Sequence, residues 1–146
     1  MTFVRNTRNL LAAAALLMTP CAAVADQSAA DGSDDIFWVV ELKINDGMEA
    51  EYADLIAAMT AEKQGASDVK AYEWLRHGDC VHEFERYEDA AAVSAHLGSF
   101  GQFAEDYFKV FTLTGFKVYG PVPDDLKTAL KGFGPTYYDL AGDFAH

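Results

Sequence analysis

The feature that most restricts the fold of this chain is a pair of strand-forming runs that flank Gly78-Asp79. Residues 69–77 and 80–87 both carry valine and aromatic side chains, and a Gly-Asp pair between two such runs is typical of a β-hairpin turn. A helix is predicted directly after the hairpin, beginning near Ala90. The segment therefore predicts a strand, a turn, a strand and a helix, in that order.

Hydrophobic periodicity extends this order to the whole domain, which we place at residues 36–121. Strands are predicted at 36–44, 69–77, 80–87 and 110–119, and helices at 48–64, 90–98 and 103–108. The order β-α-β-β-α-β is ferredoxin-like: a four-stranded antiparallel sheet with two helices on one face. The first and last strands are apolar on both sides, so we expect the other sheet face to be covered too. The extension 122–146, with a short helix and an extended segment, is a candidate to close that face or to extend the sheet across a dimer.

The first 25 residues have the pattern of a secretory signal peptide. Two arginines precede the apolar run Leu10–Met18, which is too short to span a bilayer, and small residues precede a cleavage position after Ala25. An alternative is a lipoprotein signal modified at Cys21, although the proline before that cysteine is unfavourable. The polar residues 26–35 are predicted to be a flexible linker. The expected location is periplasmic or secreted.

Charge and cysteine content exclude several classes of partner. The net charge is −12, and it becomes −14 once the leader removes its two arginines, so nucleic acid and anionic lipid are repelled. No later apolar run reaches membrane-spanning length, so no membrane insertion is expected after the leader is cut. Only Cys80 remains at that point, which excludes an intrachain disulfide. His77, His82 and His96 lack metal-ligand spacing, so no metal site is expected.

The stretch from Tyr72 to Leu97 resembles the central part of the antibiotic biosynthesis monooxygenase family, including its quinol monooxygenase branch. The features that carry the resemblance are Tyr72-Glu73, Glu85-Arg86-Tyr87-Glu88-Asp89 and Ala95-His96-Leu97. The likeness covers residues 37–119. It implies a homodimer whose two sheets pack face to face as an α+β barrel, with an apolar pocket between the sheet and the helices of each subunit.

The resemblance also implies a chemistry. Characterised enzymes of the family oxidise electron-rich phenols or hydroquinones with molecular oxygen, without metal or flavin. Relatives in the wider superfamily bind haem through a histidine on the second helix, and His96 is the one helix-borne candidate here. Because the chain is acidic and lacks the tryptophan-bearing segment of that branch, haem is not expected. We therefore expect no cofactor.

Three residues are the candidates for catalysis. His96, late in the second helix, has an imidazole that could deprotonate a phenol or pack as a helix-end histidine. Glu85 and Glu73 lie in adjacent strands, and their relation depends on the hairpin register. A three-residue turn places Glu73 opposite Glu85, where two buried carboxylates would raise one pKa. A two-residue turn places Glu85 opposite Tyr72 and Glu73 opposite Phe84.

Three further residues could bind a substrate oxygen. Tyr72, Trp74 and Arg86 carry hydroxyl, indole and guanidinium donors, although strand aromatics often belong to a core or a dimer interface. Together these features predict an exported, cofactor-independent monooxygenase that acts on a small phenolic or quinol-type aromatic compound. The alternative is a non-catalytic dimeric module of the same fold that binds a small ligand.

Overall fold

The computed structural model describes residues 34–139 and 141. The strands are β1 (Ile36–Ile44), β2 (Val69–His77), β3 (Cys80–Tyr87), β4 (Phe111–Tyr119) and β5 (Thr136–Tyr138). The helices are α1 (Glu49–Lys63), α2 (Ala90–Phe100), α3 (Ala104–Val110) and α4 (Asp124–Leu130), followed by a 3₁₀ turn at Lys131–Phe133. The predicted leader and the first part of the predicted linker lie outside the described residues. Within the described part, no helix is both long and apolar enough to cross a membrane.

The strands form one mixed sheet in the order β2-β3-β1-β4-β5. The first four strands are antiparallel, as predicted, but the prediction of a four-stranded sheet was wrong because β5 adds a parallel fifth strand beside β4. The chain leaves the end of β4, turns back through α4, and returns along the free β4 edge. The extension therefore enlarges the sheet of its own chain.

The hairpin between β2 and β3 has the shorter of the two turns considered. His77 pairs with Cys80, so only Gly78 and Asp79 form the turn, and Gly78 has a φ of 63° that suits glycine. In this register Tyr72 lies opposite Glu85. Glu73 consequently does not face Glu85.

One face of the sheet packs against the helices and forms the core. In β1 the residues at alternate positions, Ile36, Trp38, Leu42 and Ile44, are buried there. The core has one cluster around Trp38, which includes Leu126 and Leu130 of α4, and a second around Leu42. Asp89 caps α2 as predicted, since its Oδ1 accepts a hydrogen bond of 2.8 Å from the Ala92 amide.

The opposite sheet face carries no helix of the described chain. Phe37 and Tyr119 stack there with ring centroids 4.7 Å apart, and Tyr138 of β5 stacks on Tyr119 at 5.0 Å. Leu75 on the same face is 56% exposed. Of the extension, β5 contributes Tyr138 to this face, whereas the apolar side of α4 packs into the helix-side core.

The described part of the chain begins inside the predicted linker. Asp35 is buried, and its carboxylate binds Lys70 Nζ at 2.5 Å and Arg86 Nε at 2.7 Å. These ion pairs attach the start of β1 to β2 and β3. The linker prediction was therefore wrong for its last residue.

Candidate active site

The inner face of β3 carries two carboxylates where a sheet core normally has apolar side chains. Val81, Glu83, Glu85 and Tyr87 alternate toward the helices, and both glutamates are 2% exposed. Phe84, between them, points to the open face of the sheet. The usual pattern of apolar residues inside and polar residues outside is thus reversed at these positions.

Three tyrosines from different elements donate hydrogen bonds to the two carboxylates. The hydroxyl of Tyr72 on β2 lies 3.0 Å from Glu83 Oε1, and that of Tyr107 on α3 lies 2.8 Å from Glu83 Oε2. The Tyr87 hydroxyl donates to Glu85 Oε2. Buried carboxylates need such donors, because a buried acceptor without a partner costs the full desolvation penalty.

α2 brings an imidazole to the same place. His96 is 6% exposed, and its Nε2 lies 3.5 Å from Glu85 Oε2. Its Nδ1 has no hydrogen-bond partner among the described residues. His96 also contacts Trp38 edge-on, with ring centroids 5.6 Å apart. Glu83, Glu85 and His96, with the three tyrosines, form what we term the acid cluster.

Burial sets the protonation of the acid cluster. Desolvation and the nearby charge of Glu83 raise the pKa of Glu85 to about 8, and desolvation also raises the pKa of Glu83. Desolvation lowers the pKa of His96 against the opposing attraction of Glu85. Burial therefore favours the protonated form of both carboxyls and the neutral form of the imidazole. The site holds a proton donor and a proton acceptor side by side.

A cavity of about 60 Å³ lies beside the acid cluster. Since roughly 10–15 Å³ suffices for one water molecule, it has room for several waters or a small organic group. Its walls are mostly apolar and aromatic and include Phe100, Phe108, Phe116 and Phe133. Its polar lining residues are Trp38, Glu83, Glu85, His96 and Tyr107.

The structure brings together three of the six predicted site residues. His96 and Glu85 are in contact, and Tyr72 bonds to the neighbouring Glu83. Glu73, by contrast, is exposed on the open sheet face, because the two-residue turn pairs it with Phe84 and not with Glu85. The partner of Glu85 in the core is thus Glu83.

The other two predicted substrate-binding residues lie away from the cavity. Trp74 stacks on Phe111 in the second core cluster. Arg86 is on the open face, where it binds Asp35 and lies over the Phe37 ring. Neither residue lines this cavity, and their role in substrate binding stays a prediction.

Sequence reasoning missed four residues of the site: Trp38, Glu83, Tyr87 and Tyr107. The alternation of β3 contained a signal for two of them, because Glu83 and Tyr87 are two residues from Glu85 on either side and must share its face. Trp38 and Tyr107 belong to β1 and α3, and no local pattern connects them to the hairpin. Among the described residues, no group of three or more His, Cys, Asp or Glu side chains is arranged to hold a metal ion.

Comparison with known proteins gives matches at the level of structure. No family model and no curated protein sequence matches the chain. MupZ from Pseudomonas fluorescens superposes with a TM-score of 0.70 at 18% identity, over 77% of this chain and 94% of that one. SnoaB from Streptomyces nogalater, described as a cofactor-independent oxygenase, superposes with a TM-score of 0.53 at 17% identity, over 62% of this chain and 95% of that one.

A third neighbour carries the name of the predicted family. A candidate antibiotic biosynthesis monooxygenase from Caulobacter crescentus superposes with a TM-score of 0.52 at 17% identity, over 61% of this chain and 91% of that one. The predicted resemblance to antibiotic biosynthesis monooxygenase proteins is thus confirmed for the fold. At these identities the likeness concerns the fold alone, since one fold hosts many functions.

Proposed function

We propose that the chain is a cofactor-independent monooxygenase that oxidises a small phenolic or quinol-type aromatic compound with molecular oxygen. The observation that carries the proposal is the acid cluster at an aromatic cavity: a neutral imidazole in contact with a buried carboxyl that holds its proton. The description of the fold neighbour SnoaB as a cofactor-independent oxygenase supports the same reaction class. We further propose that the protein is exported and acts as a homodimer.

The first step is proton transfer from the substrate hydroxyl to His96. The phenolate that results is electron-rich and can transfer an electron to oxygen. Glu85, whose Oε2 lies 3.5 Å from Nε2, fixes the orientation of the imidazole. Aromatic side chains line the cavity beside the reactive pair.

The later steps balance without another reductant. Superoxide and the phenoxyl radical combine into a carbon-bound peroxide anion. The C–H bond at that ring carbon and the O–O bond then break, which leaves a quinone carbonyl, and the ring proton and the distal oxygen depart together as hydroxide. In sum, a phenol with a free ring C–H and one O₂ give a quinone and one water. The carboxyl proton of Glu85 is available for the departing hydroxide, which becomes water, and His96 then returns its proton to the Glu85 carboxylate.

Oxygen uptake tests the proposal. The chain beginning at Asp26, where the predicted leader ends, would be assayed with reduced quinones and polyphenols in the presence of a chelator and without added flavin. Uptake that saturates with substrate is expected. His96→Ala should lower it by about 10²–10⁴-fold, the usual contribution of a general base, while His82→Ala, at an exposed histidine of β3, should leave it unchanged.

Two results would contradict the proposal. No uptake above autoxidation with any substrate, together with thermal stabilisation by the same compounds, would favour the non-catalytic binding module. Unchanged uptake in a folded His96→Ala variant would remove His96 from the mechanism. Circular dichroism of both histidine variants provides the folding control.

A further inference from the structure

Two residues of the cavity wall each carry a buried nitrogen without a hydrogen-bond partner. Trp38 and His96 both line the cavity and are 2% and 6% exposed. Within the described part of the chain, neither Trp38 Nε1 nor His96 Nδ1 is bonded. Native structures rarely leave buried polar groups in this state, and such groups call for an explanation.

The two nitrogens have complementary hydrogen-bonding character. An indole Nε1–H can only donate. We assign the imidazole proton to Nε2, which faces Glu85 at 3.5 Å, and this assignment leaves Nδ1 as an acceptor. The rings meet edge-on with centroids 5.6 Å apart. A donor and an acceptor on adjoining rings match one hydroxyl group, which accepts one hydrogen bond and donates another.

The charge of the cavity restricts the ligand further. Its lining contains the two glutamates and, within residues 34–139 and 141, no lysine or arginine. A carboxylate or phosphate bound there would lose its hydration with no cation in the lining to compensate for it. The phenylalanine walls favour a flat apolar ring.

We propose that the cavity binds an uncharged aromatic ring by a single hydroxyl, which accepts from Trp38 Nε1–H and donates to His96 Nδ1. This inference rests on the proposed function for its site and deepens it by naming the recognised group and by making Trp38 a specificity-determining residue. The same hydrogen bond directs the hydroxyl proton toward Nδ1 of His96, the nitrogen that removes it in the proposed reaction.

A binding experiment under anaerobic conditions tests this without turnover. Phenol, toluene and benzoate have similar size and differ in the group on the ring, which is a hydroxyl, a methyl and a carboxylate. Ligand-observed NMR and thermal stabilisation would give their affinities for the wild-type chain and for Trp38→Phe, which keeps a ring in the core and removes the N–H. Trp74→Phe is the matched control, because Trp74 Nε1 is also buried and unpartnered but does not line the cavity.

The expected result is selective. Trp38→Phe should weaken the binding of phenol about two- to tenfold, which corresponds to the loss of one neutral hydrogen bond. The affinity for toluene should stay unchanged. Trp74→Phe should change neither affinity, and benzoate should not bind at concentrations that saturate phenol. The thermal unfolding curve of each variant shows whether it is folded.

Several results would overturn the inference. These are equal effects of Trp38→Phe on phenol and toluene, equal effects of the two tryptophan variants, binding of benzoate as tight as that of phenol, or no binding of phenol. The outcome is separable from the oxygenase proposal. If the predicted selectivity is found without oxygen uptake, the hydroxyl-binding site is supported and the oxygenase proposal is refuted. If oxygen uptake is found without the selectivity, the oxygenase proposal is supported and the hydroxyl-binding site is refuted.

Discussion

Replacing Glu85 by glutamine should change how stability depends on pH. Glu85 is 2% exposed, and its buried carboxyl gains its charge only against the low-dielectric core and the neighbouring Glu83. Glutamine keeps the size of the side chain and an oxygen that can accept from Tyr87, but it never ionises. The difference between wild type and variant therefore isolates the cost of charging this one carboxyl.

The magnitude follows from the pKa. Folding raises the pKa of Glu85 from 4.5 to about 8, so its contribution to stability is fully present below pH 4.5 and is lost as the pH rises through about 8. At 1.36 kcal/mol per pH unit, and with partial ionisation at both ends of the range, the loss between pH 5 and pH 8 is roughly 3.5 kcal/mol. His96, whose pKa is lowered by burial, titrates in the opposite sense. Comparison with the variant at each pH removes most of that contribution.

Urea unfolding followed by circular dichroism at pH 5, 6, 7 and 8 is the measurement. The free energy of unfolding of Glu85→Gln, relative to wild type, should rise by roughly 3.5 kcal/mol across this range. Glu73→Gln, at an exposed glutamate of β2, is the control and should follow the wild-type profile. A Glu85→Gln difference that is flat from pH 5 to pH 8 would refute the reasoning, because it would mean that Glu85 ionises freely in the folded protein.

Two further predictions concern the extension and the open sheet face. Leu126→Ala should lower the free energy of unfolding by about 2–5 kcal/mol, because Leu126 is 3% exposed in the Trp38 cluster. As the control, Lys131→Ala at an exposed position should change it by less than about 0.5 kcal/mol. Equal effects of the two substitutions would show that α4 does not pack on the core. Light scattering should give twice the chain mass for wild type and a monomer for Val39→Glu, whose charge would lie on the open face; a monomeric wild type would contradict the dimer.

Most of the fold was predictable because its signals are local. The alternation in β1 fixed its span at 36–44, and Asp89 marked the start of α2. Helix ends were less predictable: α2 continues to Phe100, two residues past Gly98. Glycine lowers helix propensity by only about 1 kcal/mol, and packing of Phe100 against Tyr107 compensates for it. The position of β5 depends on a tertiary contact and was therefore open.

The site was predictable only where one strand or one helix carries it. His96 and Glu85 were recognised because each stands in a motif, but their contact depends on how α2 lies on the sheet. The pairing of Glu85 depended on one residue of turn length, and a slip of one residue moves every side chain of a strand to the other face. Trp38 and Tyr107 join the site from distant elements, so only the folded chain reveals them.

The acid cluster is best understood as a functional feature because it opposes stability. Two carboxyls in the core destabilise the fold at neutral pH, and well-packed apolar residues at such positions are often neutral or stabilising. Yet three tyrosines from β2, β3 and α3 are arranged to satisfy these carboxyls, and an imidazole from α2 contacts one of them. Conflicts between local pattern and fold are expected at functional sites. The reversal at Glu83-Phe84-Glu85 therefore points to proton chemistry at this cavity more directly than the shared fold does.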